Sequence, residues 1–202
     1  SLIGSGVNVA QAEGSVATNA WQVNPFAVGQ PTNLFTYISS DGSASNYPNA
    51  VGLESWHANW VAGNFYGTAA GVAPGVAHVD NYEAGYFYES NIITGNSIQA
   101  KIVNQSFIFG TNPPQTTVNT DYDNYAVQNN VLFVSGLGNS GPPNSPATAY
   151  NGIGVAAFGG SSSIGPTTDN GRSKPDITAP AGATSFSTPL VAGAAAILRQ
   201  AG

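Results

Sequence analysis

From Gly6 to Glu13 the chain reads Gly-Val-Asn-Val-Ala-Gln-Ala-Glu. Its two-residue period predicts a strand with Val7, Val9 and Gln11 on one side. Residues 14–55 are rich in Gly, Pro, Asn and Ser and read as loops over a few short strands. Helical spacing runs from Trp56 to Tyr66 and stops at Gly67. Val72 to Val79 reads as a turn entering a strand. A helix is expected over Asn91–Lys101, leading into a strand at Ile102–Ser106, and another over Asp121–Gln128. Val131-Leu132-Phe133-Val134-Ser135 is a continuous apolar run of the kind found in parallel strands buried on both faces, and Gly152–Ala157 repeats it. The chain closes on Ser185–Gln200, small and apolar nearly all round, which predicts a helix buried in the middle of the domain.

Strands alternating with helices at this spacing indicate an α/β protein with a mostly parallel central sheet flanked by helices. No internal repeat appears, which argues against a β-solenoid despite the Gly- and Asn-rich texture. A single domain over residues 1–202 is expected, and 42% hydrophobic residues suffice for its core.

Charge narrows the functions available. Charged residues are 7% of the chain, far below the quarter or so of an ordinary domain. Four Lys and Arg against ten Asp and Glu leave a net charge of −6 with no basic cluster, which excludes a phosphate-tracking nucleic-acid binder. With no Cys there is neither a disulfide framework nor a thiolate metal site. No segment reaches the roughly 18 apolar residues of a membrane span, and Ser1 opens no signal-peptide pattern. The sparse charge and abundant Asn, Ser, Gly and Tyr point to a secreted protein, and a monomer is expected.

The densest chemical signal is Gly182-Ala183-Thr184-Ser185-Phe186-Ser187-Thr188-Pro189-Leu190-Val191-Ala192-Gly193. A serine in the first turn of a buried helix sits beside unpaired N–H groups that can stabilise a developing oxyanion. Pro189 early in the helix predicts a kink. A lone serine there would by default be a helix cap.

The segment resembles the nucleophile motif of the subtilisin-like serine proteases, Gly-Thr-Ser-x-Ala-Thr-Pro, with Ala183 for the first Gly and Ser187 for Ala. Two more segments match in the family's order. Ser55-Trp56-His57-Ala58-Asn59-Trp60-Val61-Ala62-Gly63 resembles His-Gly-Thr-His-Val-Ala-Gly, and Ser135-Gly136-Leu137-Gly138-Asn139 follows a buried strand as the family's Ala-Ala-Gly-Asn segment does. Weaker echoes are Gly71–Pro74, Val103–Phe107 and Lys174–Pro180. The resemblance implies a three-layer subtilisin-like fold and peptide-bond hydrolysis through an acyl-enzyme. Ser185 would be the nucleophile, His57 the general base and Asn139 the oxyanion donor. The family's acid ends a strand of the type Val-Ala-Val-Ile-Asp-Thr-Gly. Here Glu13 of Val9-Ala10-Gln11-Ala12-Glu13-Gly14 stands in that place, with Asp41 and Asp80 as alternative acids. The sedolisins, which lack the histidine and use an oxyanion Asp, fit less well.

By the same resemblance Ser106, Phe107, Ser135, Gly136 and Leu137 should border the substrate pocket, open and apolar, with broad hydrophobic-leaning specificity and a polypeptide substrate. A second departure is spacing: five positions separate Pro180 from Ser185, where the family has a longer strand-bearing segment. No cofactor is implied. Calcium would be a structural ion only, since Tyr66–Ala70 is short and lacks a carboxylate; Asp121 and Asp123 read as solvated carboxylates. His78 reads as a satisfied core histidine, and Tyr82–Tyr88 as packing. A histidine base predicts activity at neutral to mildly alkaline pH. The competing expectation is an inactive relative serving as a binding or structural module. Gly4-Ser5-Gly6 carries no nucleotide site, because no strand can precede it.

Overall fold

The computed structural model describes residues 1–169 and 172–202. Along the chain lie β1 (Asn8–Glu13), β2 (Ala20–Gln22), β3 (Phe35–Ser39), β4 (Gly42–Ala44), β5 (Leu53–Glu54), α1 (Trp56–Phe65), β6 (His78–Glu83) and α2 (Ala84–Phe87). There follow β7 (Ile102–Gln105), α3 (Gln115–Asn129), β8 (Leu132–Gly136), β9 (Gly152–Phe158), β10 (Gly165–Pro166), β11 (Ser173–Lys174), β12 (Ile177–Pro180) and α4 (Thr184–Ala201).

Eight strands form one sheet in the order β12-β9-β8-β7-β1-β6-β3-β4. Every neighbouring pair is parallel except β3 with β4, which closes one edge. β1 lies between β6 and β7. The chain fills one flank of the sheet, β3 and β6, before returning past β1 to build the other. Beside β1 the winding therefore reverses, and the carboxyl ends of β1 and β7 border the crevice where such folds bind ligands.

Alternation along β1 builds two cores. Val7 and Val9 pack with Ala58, Ala62, Phe65 and Tyr66 of the α1 region and with Ala192 and Ala196 of α4. Ala10 and Ala12 face the opposite layer, with Tyr82, Phe87, Val118, Tyr122 and Tyr125. Gln11 and Glu13 share the parity of Val7 and Val9, so both point towards the α1 and α4 layer. The result is the three-layer arrangement implied by the resemblance.

Three expectations are corrected. No helix covers Asn91–Lys101; the helical stretch lies upstream, in α2 and a π-helical turn over Tyr88–Ile92. Glu83 starts it by accepting from the N–H groups of Gly85 and Tyr86, whereas Gly95 adopts a left-handed φ of 75°. α3 begins six residues before Asp121, because Val118, Tyr122, Tyr125 and Ala126 form a buried stripe at helical spacing even though Gln115–Thr120 is polar. α4 is buried on one side only: Ala192, Gly193 and Ala196 face inwards, while Leu198 is 73% exposed. Its small residues serve close approach. A Cβ on Gly193 would lie 2.6 Å from Val72 Cβ.

Candidate active site

Glu13 is the last residue of β1 and His57 the second of α1. Ser55 caps that helix, its Oγ accepting from the Ala58 N–H at 3.2 Å, and so holds His57 in the first turn. His57 Nδ1 and Glu13 Oε2 are 2.8 Å apart. The Glu13 carboxylate is buried, and His57 is half-buried between two rings, with Trp56 centred 5.6 Å away and Phe186 5.9 Å away. Burial alone would lower the His57 pKa, but the hydrogen bond and charge of Glu13 outweigh it and hold the imidazole above its ordinary value.

Ser185 is the second residue of α4, whose first N–H groups have no partner within the helix. Pro189 acts here in a way not foreseen from its spacing. Lacking an N–H, it leaves the Ser185 carbonyl free, and Ser106 Oγ donates to that oxygen at 2.9 Å. Asn104 Nδ2 donates in turn to Ser106 Oγ at 3.1 Å. The helix runs on through the proline to Ala201. Ser185 Oγ donates to Ser106 O at 3.3 Å.

Asn139 follows β8 after Gly138, which turns the chain with a φ of 99°. Its Oδ1 accepts from Thr184 N at 2.9 Å and from Thr184 Oγ1 at 3.0 Å. A backbone N–H can only donate, so the amide orientation is fixed and both Nδ2 protons remain for another acceptor. Asn139 and Ser185 line one cleft of about 90 Å³, together with Ser106, Phe107, Ile108, Gly136 and Gly138. Gly136 is needed for close approach, since a Cβ there would meet Thr188 Oγ1 at 3.0 Å.

Of the residues expected to border the substrate, Ser106, Phe107 and Gly136 line this cleft. Ser135 and Leu137 do not. Ser135 is buried and donates to Gln105 Oε1 at 2.9 Å, and Leu137 is fully buried in a small core with Ala147 and Ala156. Period 2 along β8 puts both on the sides away from the cleft, whereas Gly136 opens into it. Of the alternative acids, Asp80 pairs with His78 at 3.3 Å and Asp41 accepts from Asn19 at 3.4 Å. His78, half-buried, also meets Thr36 Oγ1 at 3.1 Å. Asp121 accepts from the Tyr88 hydroxyl and Asp123 from the Asn151 N–H. Among the described residues no three His, Cys, Asp or Glu side chains converge on a metal site, and no helix is long and apolar enough to cross a membrane.

A larger cleft, about 660 Å³, lies along α1 and is lined by Phe26, Trp56 and Trp60 and by the chain around Gly67–Ala70. It holds no titratable group. Its link to the site is aromatic: the Trp60 ring lies 5.7 Å from that of Phe186, which borders His57. The sequence signal for it is two tryptophans four apart on one helix, which the structure leaves exposed. Gln11 donates to the second Glu13 oxygen, Oε1, at 2.8 Å, a contact that strand alternation hinted at only through parity.

The subtilase family model matches residues 4–202. The chain belongs to the subtilase family. Among solved structures it is similar to a cold-adapted subtilisin-like serine proteinase, with 20% identity and a TM-score of 0.66 over 98% of this chain and 77% of that one. It is also similar to the prenylagaramide maturation protease PagA, with 23% identity and a TM-score of 0.61 over 96% of this chain and 76% of that one. A mutant of the protease domain of PatA shares 20% identity at a TM-score of 0.61 over 98% and 81%. Among curated proteins no sequence matches this subtilase. At these identities the solved structures carry the fold, and the family assignment makes the chain a serine peptidase.

Proposed function

We propose that this subtilase is an endopeptidase with a Ser185-His57-Glu13 triad and Asn139 as oxyanion donor. The observation that carries the reading is the 2.8 Å contact between buried Glu13 and His57 Nδ1, on the helix whose partner, α4, presents Ser185. Glu13 fixes the tautomer that leaves Nε2 basic and stabilises the imidazolium that forms. The Ser185 hydroxyl exchanges its 3.3 Å bond to Ser106 O, near the limit of a hydrogen bond, for one to His57 Nε2. His57 takes the proton as Oγ attacks the peptide carbonyl. The resulting oxyanion is met by Asn139 Nδ2 and the Ser185 N–H. His57 then protonates the leaving amine, and water hydrolyses the acyl-enzyme by the reverse sequence of proton transfers.

The substrate is a polypeptide. The cleft beside Ser185 carries no charged side chain, which favours a neutral residue before the cleaved bond, and Phe107 and Ile108 narrow it. The protein acts as a secreted monomer with no cofactor in the reaction. A rival reading, an inert subtilase fold kept as a binding module, draws on the Ser185 bond to Ser106 O.

Exposure to a fluorophosphonate, followed by intact mass, separates the two. Stoichiometric labelling that disappears in Ser185→Ala supports the activated serine. Well-folded protein that takes no label refutes it.

A further inference from the structure

We infer that Gln11 and Tyr66 are positioning residues that lock the Glu13 carboxylate, a role that rests on the triad proposed above. Both side chains are fully buried. The Tyr66 hydroxyl lies 2.6 Å from Gln11 Oε1. Gln11 Nε2 donates to Glu13 Oε1 at 2.8 Å and to the Ala58 carbonyl at 3.0 Å. The Gln11 backbone is held as well, its carbonyl accepting from Asn81 Nδ2 at 3.2 Å.

The orientation of the Gln11 amide follows from its neighbours. Turned over, it would set Oε1 against a carboxylate and a carbonyl, with no donor for either. Tyr66 fixes the same sense from the other end. Burial, with Tyr37 and Glu13 nearby, pushes its pKa well above the usual value, so the hydroxyl remains a donor. Both Nε2 protons are thus committed, one to the acid and one to the helix that carries the base.

The need for the lock lies in the acid itself. A glutamate has one more torsion than an aspartate, and His57 engages only Oε2. Without Gln11, Oε1 would be a buried carboxylate oxygen with no donor bonded to it among the described residues, which is costly. The links also join β1, which carries Glu13, to both ends of α1: Ala58 follows His57, and Tyr66 closes the helix, its N–H donating to Ala62 O at 2.9 Å. Moving either Gln11 or Tyr66 should therefore act on His57 through Glu13.

Among the described residues Glu13 is the one charged group that acts on His57. Glu54, before α1, is turned onto Asn24, Tyr47 and Asn59, and Trp56 and Phe186 flank the imidazole.

The test measures kcat and KM against pH on a peptide substrate for Tyr66→Phe, Gln11→Val and Glu13→Ala. Tyr122→Phe serves as control, removing another buried hydroxyl paired with a glutamine, Gln105 at 2.7 Å, in the opposite layer. The expected result is a kcat about tenfold lower in Tyr66→Phe and Gln11→Val, with KM within about twofold and the acid limb moved to lower pH. Tyr122→Phe keeps the parent profile. Parent kcat and acid limb in Tyr66→Phe and Gln11→Val, with Glu13→Ala crippled, overturn the positioning role alone. An unaffected Glu13→Ala overturns the triad and this inference with it. If Gln11→Val does not fold, the His57 titration followed by NMR in Ser185→Ala, with and without Tyr66→Phe, decides the matter: an unmoved midpoint refutes the role.

Discussion

Restoring the acid typical of the family should impair this enzyme. Glu13→Asp withdraws the carboxylate by up to about 1.5 Å, one carbon–carbon bond. Its two oxygens have separate partners, Oε2 with His57 and Oε1 with Gln11, each at 2.8 Å. A shift of that size opens either contact to about 4 Å, and the shorter side chain cannot reach both. A misplacement of about 1 Å costs roughly 10² in rate, and complete loss of the acid's orienting role about 10⁴. The variant should therefore fall about 10²-fold in kcat/KM, with some relaxation of β1 recovering the rest. Stability falls too. A buried methylene is worth about 0.8 kcal/mol and an orphaned Gln11 donor about 1–3 kcal/mol, together about 2–4 kcal/mol. With the carboxylate withdrawn, burial governs the imidazole, so the acid limb of the profile should move to lower pH while the plateau drops. The assay is kcat/KM from about pH 5 to 10 alongside thermal melting. A Glu13→Asp variant as active as the parent, with the same acid limb, would refute the reasoning by showing that β1 absorbs the missing methylene.

Four further outcomes are expected. Asn139→Ala should lower kcat by about 10²–10³ with little change in KM, a magnitude known for subtilisin itself rather than worked from this geometry; steady-state kinetics check it. Pro189→Ala supplies an N–H that competes with Ser106 Oγ for the Ser185 carbonyl, so melting temperature should rise and kcat fall, and a variant unchanged in kcat would show that the Ser106 bond does not orient the nucleophile. Gly136→Val, pressed against Thr188 and Thr184, should close the cleft and raise KM for bulky residues before the cleaved bond, with small ones less affected. Finally, the raised His57 pKa means that the folded state binds this proton more tightly than the unfolded chain. That contribution to stability is fully present below the ordinary histidine pKa of about 6.5 and is lost as pH rises through the folded value. Melting of Ser185→Ala against pH should show the loss, and Glu13→Ala should remove it.

Much of the site was legible because its parts are local. Ser185 and Pro189 share one helix, His57 and its Ser55 cap another, and Asn139 follows a buried strand. Each is set by contiguous residues whose backbone requirements show in the sequence. Glu13, the proposed acid, could be placed at the end of β1 by position alone. The sequence could not show that Ser135 and Leu137 turn away from the cleft, because facing is decided by strand parity. β8 presents only every second residue to α4, and the run of apolar positions conceals which. The helix expected at Asn91–Lys101 was displaced because Glu83 caps an earlier start, and the tyrosines that follow find a buried layer to fill.

The sequence by itself determined the alternation of strands and helices, the segment proposed to carry the nucleophile and the order of the motifs, since periodicity and turn chemistry act over a few residues. Tertiary structure decided what those residues touch. Only folding sets Tyr66 against Gln11, 55 positions away, and Ser106 against Ser185, 79 positions away. Those contacts arise because a parallel sheet brings the carboxyl ends of distant strands to one edge, where buried polar groups must find partners or forfeit their hydration.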